Sequence, residues 1–255
     1  MKIGLYIKEE LSETDIATYI ISKINEHEFD FDNDNPDFVI FVGGDGTFLR
    51  AVNEYLDQIN DIFFIGINEG TLGFYSGYVI DELDEALTAI EEENYDVVSH
   101  HLIEGIAADQ IIYAVNEIRV ENPFHTLISK VYVDDEYLET FRGNGLTVCT
   151  SNGSSAYNKS LGGAVISYKL QTLQLTEIAP INNRVYRSLN SPIVISKEES
   201  FVLEGHFSEA VIGYDYSTTS IDTDSITIRL SDKVVNLVEK SGFKYVKKIH
   251  DAFVK

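Results

Sequence analysis

Residues 38–56 constrain the fold more than any other stretch. Phe38-Val39-Ile40-Phe41-Val42 is an unbroken apolar, β-favouring run, and Gly43-Gly44-Asp45-Gly46-Thr47 follows it. Beyond the glycines, Phe48, Val52, Tyr55 and Leu56 recur on one helical face. The order is strand, glycine turn, helix. Three glycines in four positions let the backbone approach a ligand closely and adopt positive φ. The N–H groups opening the helix favour an anion such as phosphate. Asp45 does not suit a simple phosphate cradle, because a carboxylate repels phosphate. Either it caps the helix in a tight turn, or the loop holds a carboxylate for proton chemistry or magnesium beside bound phosphates.

The same alternation runs through the first part of the chain. A strand at 2–7 precedes a helix whose start, Ser12-Glu13-Thr14-Asp15, resembles a capping box and whose apolar face is Ile16, Tyr19, Ile20 and Ile24. A third strand, 62–65, runs into the glycine-rich stretch 66–77, and a helix follows at about 80–93 with Leu83, Leu87 and Ile90 on one face. This βαβαβα order predicts a parallel sheet with helices on both faces. Ligands on such sheets bind beyond the carboxyl ends of the strands, where the loops 43–46 and 66–77 both fall, so the two should line one crevice. Past residue 96 helical periodicity fades and short β-rich runs take over, at 97–103, 111–120, 128–133, 146–150, 193–196, 201–203, 210–214 and 225–230, with Asp134-Asp135-Glu136 as a hairpin turn. The expected fold is an α/β N-terminal domain with a parallel sheet plus an all-β, sandwich-like C-terminal domain. The expected domains are 1–96, joined by the nearly featureless tail 242–255, and 97–241.

Composition narrows the function. A formal net charge of −23 repels nucleic acid and anionic membranes, and no apolar run is long enough to span a bilayer. The single cysteine, Cys149, excludes an internal disulfide and fits a reducing cytoplasm. Its apolar neighbours mark it as a buried small side chain. The start of the chain reads as a strand and lacks the shape of a signal peptide. No histidine stands at metal-site spacing with Cys or a second His, so no protein metal site is expected.

Three further clusters bear on chemistry. Asn116-Glu117, placed at a strand end, can hydrogen-bond the hydroxyls and exocyclic amine of a nucleoside. The stretch from Arg142 to Gly163 is a strand entering a hydroxyl-rich glycine turn and a short helix, with neither a Walker A lysine nor a Gly-x-Ser-x-Gly elbow. Arg184 and Arg187 suit phosphate or, more readily, carboxylates at a subunit contact. Phe74 and Tyr75 either stack on a base or belong to the core.

Together these segments resemble the NAD kinase family in its compact bacterial form. The matching features are Gly43-Gly44-Asp45-Gly46-Thr47, Gly66-x-Asn68-x-Gly70-x-Leu72-Gly73-Phe74, Asn116-Glu117, and Thr150-x-x-Gly153-Ser154-x-Ala156-Tyr157 followed by Gly162-Gly163. They occur in the family's order and span about residues 38–190. The glycine–aspartate turn alone is shared with diacylglycerol-type lipid kinases, the alternative reading. Such a kinase needs a membrane-facing surface, which the charge disfavours.

The resemblance implies transfer of a phosphoryl group from ATP, or polyphosphate, to the 2′-hydroxyl of the adenosine ribose of NAD, giving NADP. It makes Asp45 the general base and sets Gly44 and Gly46 against the phosphates, with Mg²⁺ or another divalent cation arriving on ATP. It carries Asn116, Glu117, Asn144 and the loop residues Ser155, Ala156, Tyr157, Asn158, Lys159 and Ser160 to dinucleotide contacts. It places Phe74 at the adenine, Arg142 near the 2′-phosphate region and the Ala179 backbone at the nucleotide. A homo-oligomer, tetramer or dimer, is implied. Asn144 stands where the family usually has Asp, and Ser155 where it usually has Thr. Tyr214-Asp215-Tyr216-Ser217 departs from the family's later Asp-Gly-Gln-like segment, and no role is carried onto it.

Overall fold

The computed structural model of the chain describes residues 1–7, 15–68 and 73–254. The expected cap at Ser12, Glu13 and Thr14, and Gly70 and Leu72 of the second glycine-rich loop, lie outside the described residues. The chain divides into two compact units, 1–100 with 233–255, and 101–232.

The first unit opens with β1 (Lys2–Ile7), α1 (Asp15–Glu26), β2 (Asp30–Phe31), β3 (Phe38–Val42) and α2 (Asp45–Glu54). It continues with β4 (Phe63–Asn68), β5 (Tyr78–Val79) and α3 (Leu83–Glu91). β2, β1, β3 and β4 lie side by side and parallel, as the alternation predicts. The two-residue period of β3 divides its side chains between two helical layers. Phe38, Ile40 and Val42 join Ile20 and Ile24 of α1 and Leu83, Leu87 and Ile90 of α3 in one core. On the opposite face Phe41 packs on Phe48 of α2, whose ring also meets Phe64 edge-on and stacks on Tyr75 at 4.2 Å. Tyr19 is the exception on the predicted face of α1: it is exposed, because that face is narrower than the periodicity allows.

The second unit takes the latter part of β6 (Tyr95–Ala107), then β7 (Gln110–Ala114), β8 (Glu117–Glu121), β9 (Leu127–Val133), β10 (Glu136–Gly143) and β11 (Gly145–Thr150). There follow the short helix α4 (Tyr157–Ser160), β12 (Thr172–Ile178), β13 (Ile193–Ser196), β14 (Phe201–Glu204), β15 (Val211–Tyr214), β16 (Ser217–Thr219) and β17 (Ser225–Lys240). One antiparallel sheet runs β13-β12-β11-β8-β15-β16. The other pairs β10, β9, β14 and the start of β17. Their inward side chains, among them Val131, Phe141, Val148, Leu175, Phe201 and Ile228, share one core, the sandwich expected. The 134–136 turn joins β9 to β10, with Asp134 left-handed at φ +50°.

The run expected as one strand over 111–120 is two, because Val115 and Asn116 interrupt it and β7 and β8 pair in different sheets. β17 extends well past the expected 225–230, and its later half lies parallel to β4 in the first unit. β6 and β17 both run through the unit boundaries, so no loop composition marks either division. The tail, expected to lack features, forms α5 (Tyr245–Phe253).

Candidate active site

In the first unit, β3 delivers the chain to Gly43 at φ +140°, where a Cβ would fall 2.4 Å from Thr47 Oγ1. Only glycine suits that position. Gly44 is extended and is the N-cap of α2, so Asp45 is not the cap; it is the first residue of the helix. Its Oδ1 accepts a hydrogen bond from the Tyr75 backbone N–H at 3.0 Å. A Cβ on Gly73 would come within 2.7 Å of that same oxygen, so the second glycine-rich loop closes directly on the carboxylate. Ser76 Oγ in turn accepts the Gly73 N–H at 2.7 Å. Asp45 is half-buried in the first turn of α2. Gly44 and Gly46 differ from Gly43: a Cβ at either would meet no atom of the described residues within 4 Å. Of the two aromatics left open, Tyr75 is core, whereas Phe74 is half-buried and carries Lys248 Nζ at 5.9 Å from its ring centre.

In the second unit the Val115–Asn116 break is gripped from two sides. Thr150 Oγ1 donates to the Val115 carbonyl at 2.9 Å and accepts the Gly153 N–H at 2.9 Å, while the Thr150 N–H donates to the Asn116 carbonyl. Gly153 lies so close that a Cβ there would be 2.1 Å from the Asn116 carbonyl oxygen. From the other side the Asp215 carboxylate accepts the Val115 and Asn116 N–H groups at 2.8 and 2.7 Å. Asn116 and Glu117 are both buried. Glu117 Oε2 has no hydrogen-bond partner among the described residues. Burial first, then the Asp215 and Glu121 charges, push the Glu117 carboxyl up to about 7, with Arg119 opposing them. Burial likewise raises Asp215 to about 6, against the two N–H bonds that favour its ionised form.

The hydroxyl-rich turn is partly scaffold. Asn158 is wholly buried and bonded within the turn: it donates to Ser154 O at 3.2 Å and accepts from Thr176 Oγ1 at 2.7 Å, and its amide fills the space over Gly163. Ser155 is buried and donates to Asn152 O. Ala156 and Tyr157 are half-buried, and Lys159 and Ser160 are exposed. The Arg119 guanidinium lies 5.0 Å from the Tyr157 ring centre. Asn144 Nδ2 donates to the Asn122 carbonyl at 3.2 Å, a bond an ionised aspartate cannot make. Arg142 stacks over Tyr186 at 4.5 Å, and its carbonyl accepts the Ile181 N–H. Ala179 is exposed and left-handed at φ +46°. Arg184 and Arg187 are exposed and make no ion pair among the described residues. Cys149 is fully buried with its thiol pushed up by burial, which leaves it inert. Among the described residues no three acidic, His or Cys side chains form a metal cluster.

The structure thus gathers Asp45, Gly44, Gly46 and Phe74 in one unit, and Asn116, Glu117 and Tyr157 in the other. Sequence reading carried no role onto Asp215 and did not single out Arg119. Asp215 in a short polar turn reads as ordinary turn chemistry, and Arg119 alternates with core residues along β8 like any strand polar residue.

Residues 7–95 match the family model described as the ATP-NAD kinase N-terminal domain, and residues 115–240 match the ATP-NAD kinase C-terminal domain. The NAD kinase of Leuconostoc citreum is 34% identical over 260 residues, covering 100% of this chain and 98% of that protein. NAD kinase 1 of Bacillus cereus is 35% identical over 262 residues, covering 100% and 99%. Among solved structures, yeast NADH kinase complexed with NADH superposes with a TM-score of 0.85 at 18% identity, covering 100% of this chain and 88% of that one. An Archaeoglobus fulgidus NAD kinase in complex with ATP gives 0.79 at 24% identity, covering 99% and 97%.

Proposed function

This chain belongs to the NAD kinase family and is a phosphotransferase acting on NAD, and we propose that Asp45 is the base of its reaction. The observation that carries this is the Asp45 carboxylate itself. It stands at the opening of α2, held by the Tyr75 N–H, with unobstructed backbone on both sides of it at Gly44 and Gly46. The ribose 2′-oxygen attacks the γ-phosphorus of ATP and gives its proton to Asp45 as the new P–O bond forms. The bond from that phosphorus to the bridging oxygen breaks, and ADP leaves. Such transfers demand positioning and charge neutralisation more than covalent help. Gly44, Gly46 and the first N–H groups of α2 take the phosphates. The divalent cation that the resemblance implies arrives with ATP as part of the substrate.

Each unit has its part: 1–100 with 233–255 binds nucleotide and holds the base, and 101–232 binds the dinucleotide. Phe74 lies at the adenine. Asn116, Glu117 and Tyr157 contact NAD, with Ala156, Lys159 and Ser160 beside them. Arg142 and the Ala179 backbone complete the set, Asn144 joins them through its remaining acceptor, and Asn158 and Ser155 act by holding the turn. A homo-oligomer is supported by the apolar side chains left exposed at Ile181, Val185, Tyr186, Leu189 and Val194. A cytoplasmic setting accords with the single buried thiol and the absence, among the described residues, of any helix long and apolar enough to cross a membrane. The lipid-kinase alternative is set aside, since both family models that match are of NAD kinases. Incubating the purified protein with MgATP and NAD should yield NADP; failure to form NADP under conditions where NAD binds would overturn the reading.

A further inference from the structure

We propose that Asp215 is a positioning residue for the dinucleotide site of residues 101–232, placing Asn116 and Glu117 through their backbone and Tyr157 through Arg119. The inference rests on the reading of Asn116, Glu117 and Tyr157 as dinucleotide contacts. Asp215 occupies the turn between β15 and β16 with φ +46°, a left-handed conformation that Asp adopts more readily than most residues. From there its two carboxylate oxygens take two successive N–H groups, Oδ2 from Val115 at 2.8 Å and Oδ1 from Asn116 at 2.7 Å. Consecutive N–H groups within a strand point to opposite sides, so one carboxylate can collect both only where the strand has broken, as it has between β7 and β8. The Asp215 N–H closes the ring by donating to the Glu117 carbonyl at 3.2 Å.

The same turn reaches Tyr157. The Asp215 carbonyl accepts Arg119 Nη2 in a longer contact of 3.5 Å, and the Arg119 guanidinium lies over the Tyr157 ring. Gly213, two residues earlier, leaves the room: a Cβ there would come within 2.7 Å of Arg119 Nη2. Asp215 therefore touches no reacting atom but sets three groups that meet the substrate. Each carboxylate oxygen takes one N–H, so Asp215→Asn sets an NH2 group against one of the two donors and keeps both only if the side chain shifts to share its one oxygen.

The test is steady-state kinetics of Asp215→Asn and Asp215→Glu in the full chain, with MgATP and NAD, and melting temperature read alongside. Asp215→Asn should raise the KM for NAD about tenfold and leave the KM for ATP within about twofold, because only the site for NAD loses its register. Asp215→Glu, which keeps both oxygens, should recover a good part of that loss. An unchanged KM for NAD in Asp215→Asn overturns the inference. So does a parallel rise in both KM values with a fall in melting temperature, which is the mark of a residue needed only for folding. Should Asp215→Asn fail to fold, Asp215→Ser, which keeps a single acceptor, is read by the same split. Asn116→Ala is measured beside them: if it leaves the KM for NAD unmoved, the assignment of Asn116 is at fault; if it raises that KM while Asp215→Asn does not, Asp215 alone is misread.

Discussion

Two glycine turns, one in each unit, surround their glycines differently. At Gly44 and Gly46 a methyl group would meet no atom of the described residues. At Gly153 it would meet the Asn116 carbonyl oxygen at 2.1 Å, and at Gly163 the Asn158 amide at 2.3 Å. The first turn is bare at these two positions, where the proposed phosphates would lie. The second is packed against its own strand, and glycine there is a condition of folding. Identical letters in the sequence thus stand for open backbone in one place and packed backbone in the other. The acids differ likewise: Asp45 sits at a helix start with its carboxylate half-exposed, whereas Glu117 is buried among other acids.

The comparison can be broken most decisively at Asp45. Asp45→Asn should cut turnover about a thousandfold while NAD still binds, since a positioned base contributes on that order; calorimetry and NADP formation together check it. The next effect is at the packed turn. Gly153→Ala should destabilise the protein by about 3 kcal/mol, as overpacking does, lowering the melting temperature by several degrees. A melting temperature equal to that of the parent would mean the second turn is no tighter than the first.

Glu117 gives a pH-dependent test. Its carboxyl is raised to about 7 in the fold, so it holds its proton there at pH values where the unfolded chain has lost it. Folding stability from this group is therefore full at low pH, begins to fall as pH passes the ordinary Glu value, and levels off above about 7. Glu117→Gln should accordingly melt higher than the parent at pH 8, with the gap closing towards pH 5. NAD affinity should follow the opposite course, weakening in the parent as pH drops through about 7, because the ionised group is the better acceptor for hydroxyls, and losing that dependence in Glu117→Gln. Asp215, Glu121 and Arg119 are the charges facing Glu117, and Cys149 and Tyr157 adjoin it. The smallest effect belongs to the open turn: Gly44→Ala should leave the melting temperature unchanged and raise the KM for ATP about tenfold, a contrast with Gly153→Ala that sharpens the distinction.

Much of this was legible in the residue order. The alternation through residue 93 announced the parallel sheet, because a helix period and a strand period leave different marks on the same apolar alphabet. The hairpin at 134–136 and most of the short strands were equally plain. What escaped were elements whose residues carry no periodic signal. The single run 111–120 gives no sign that Val115 and Asn116 leave the sheet, since Thr150 and Asp215, which hold the break, are far away in the chain. Asn144 stands where the resemblance expects Asp, and only the fold brings its amide to the Asn122 carbonyl.

By itself the sequence determined that this chain builds a parallel α/β unit and a β sandwich, and that an acid stands in a glycine turn at a strand's end. These follow from local sterics and periodicity, which neighbours in sequence decide among themselves. Only the tertiary structure decided which glycines are bare and which are packed, that Asp45 is held by Tyr75, and that Asp215 grips Asn116. Those are contacts between residues about 30 to 100 positions apart, and no local preference encodes who meets whom across such a distance.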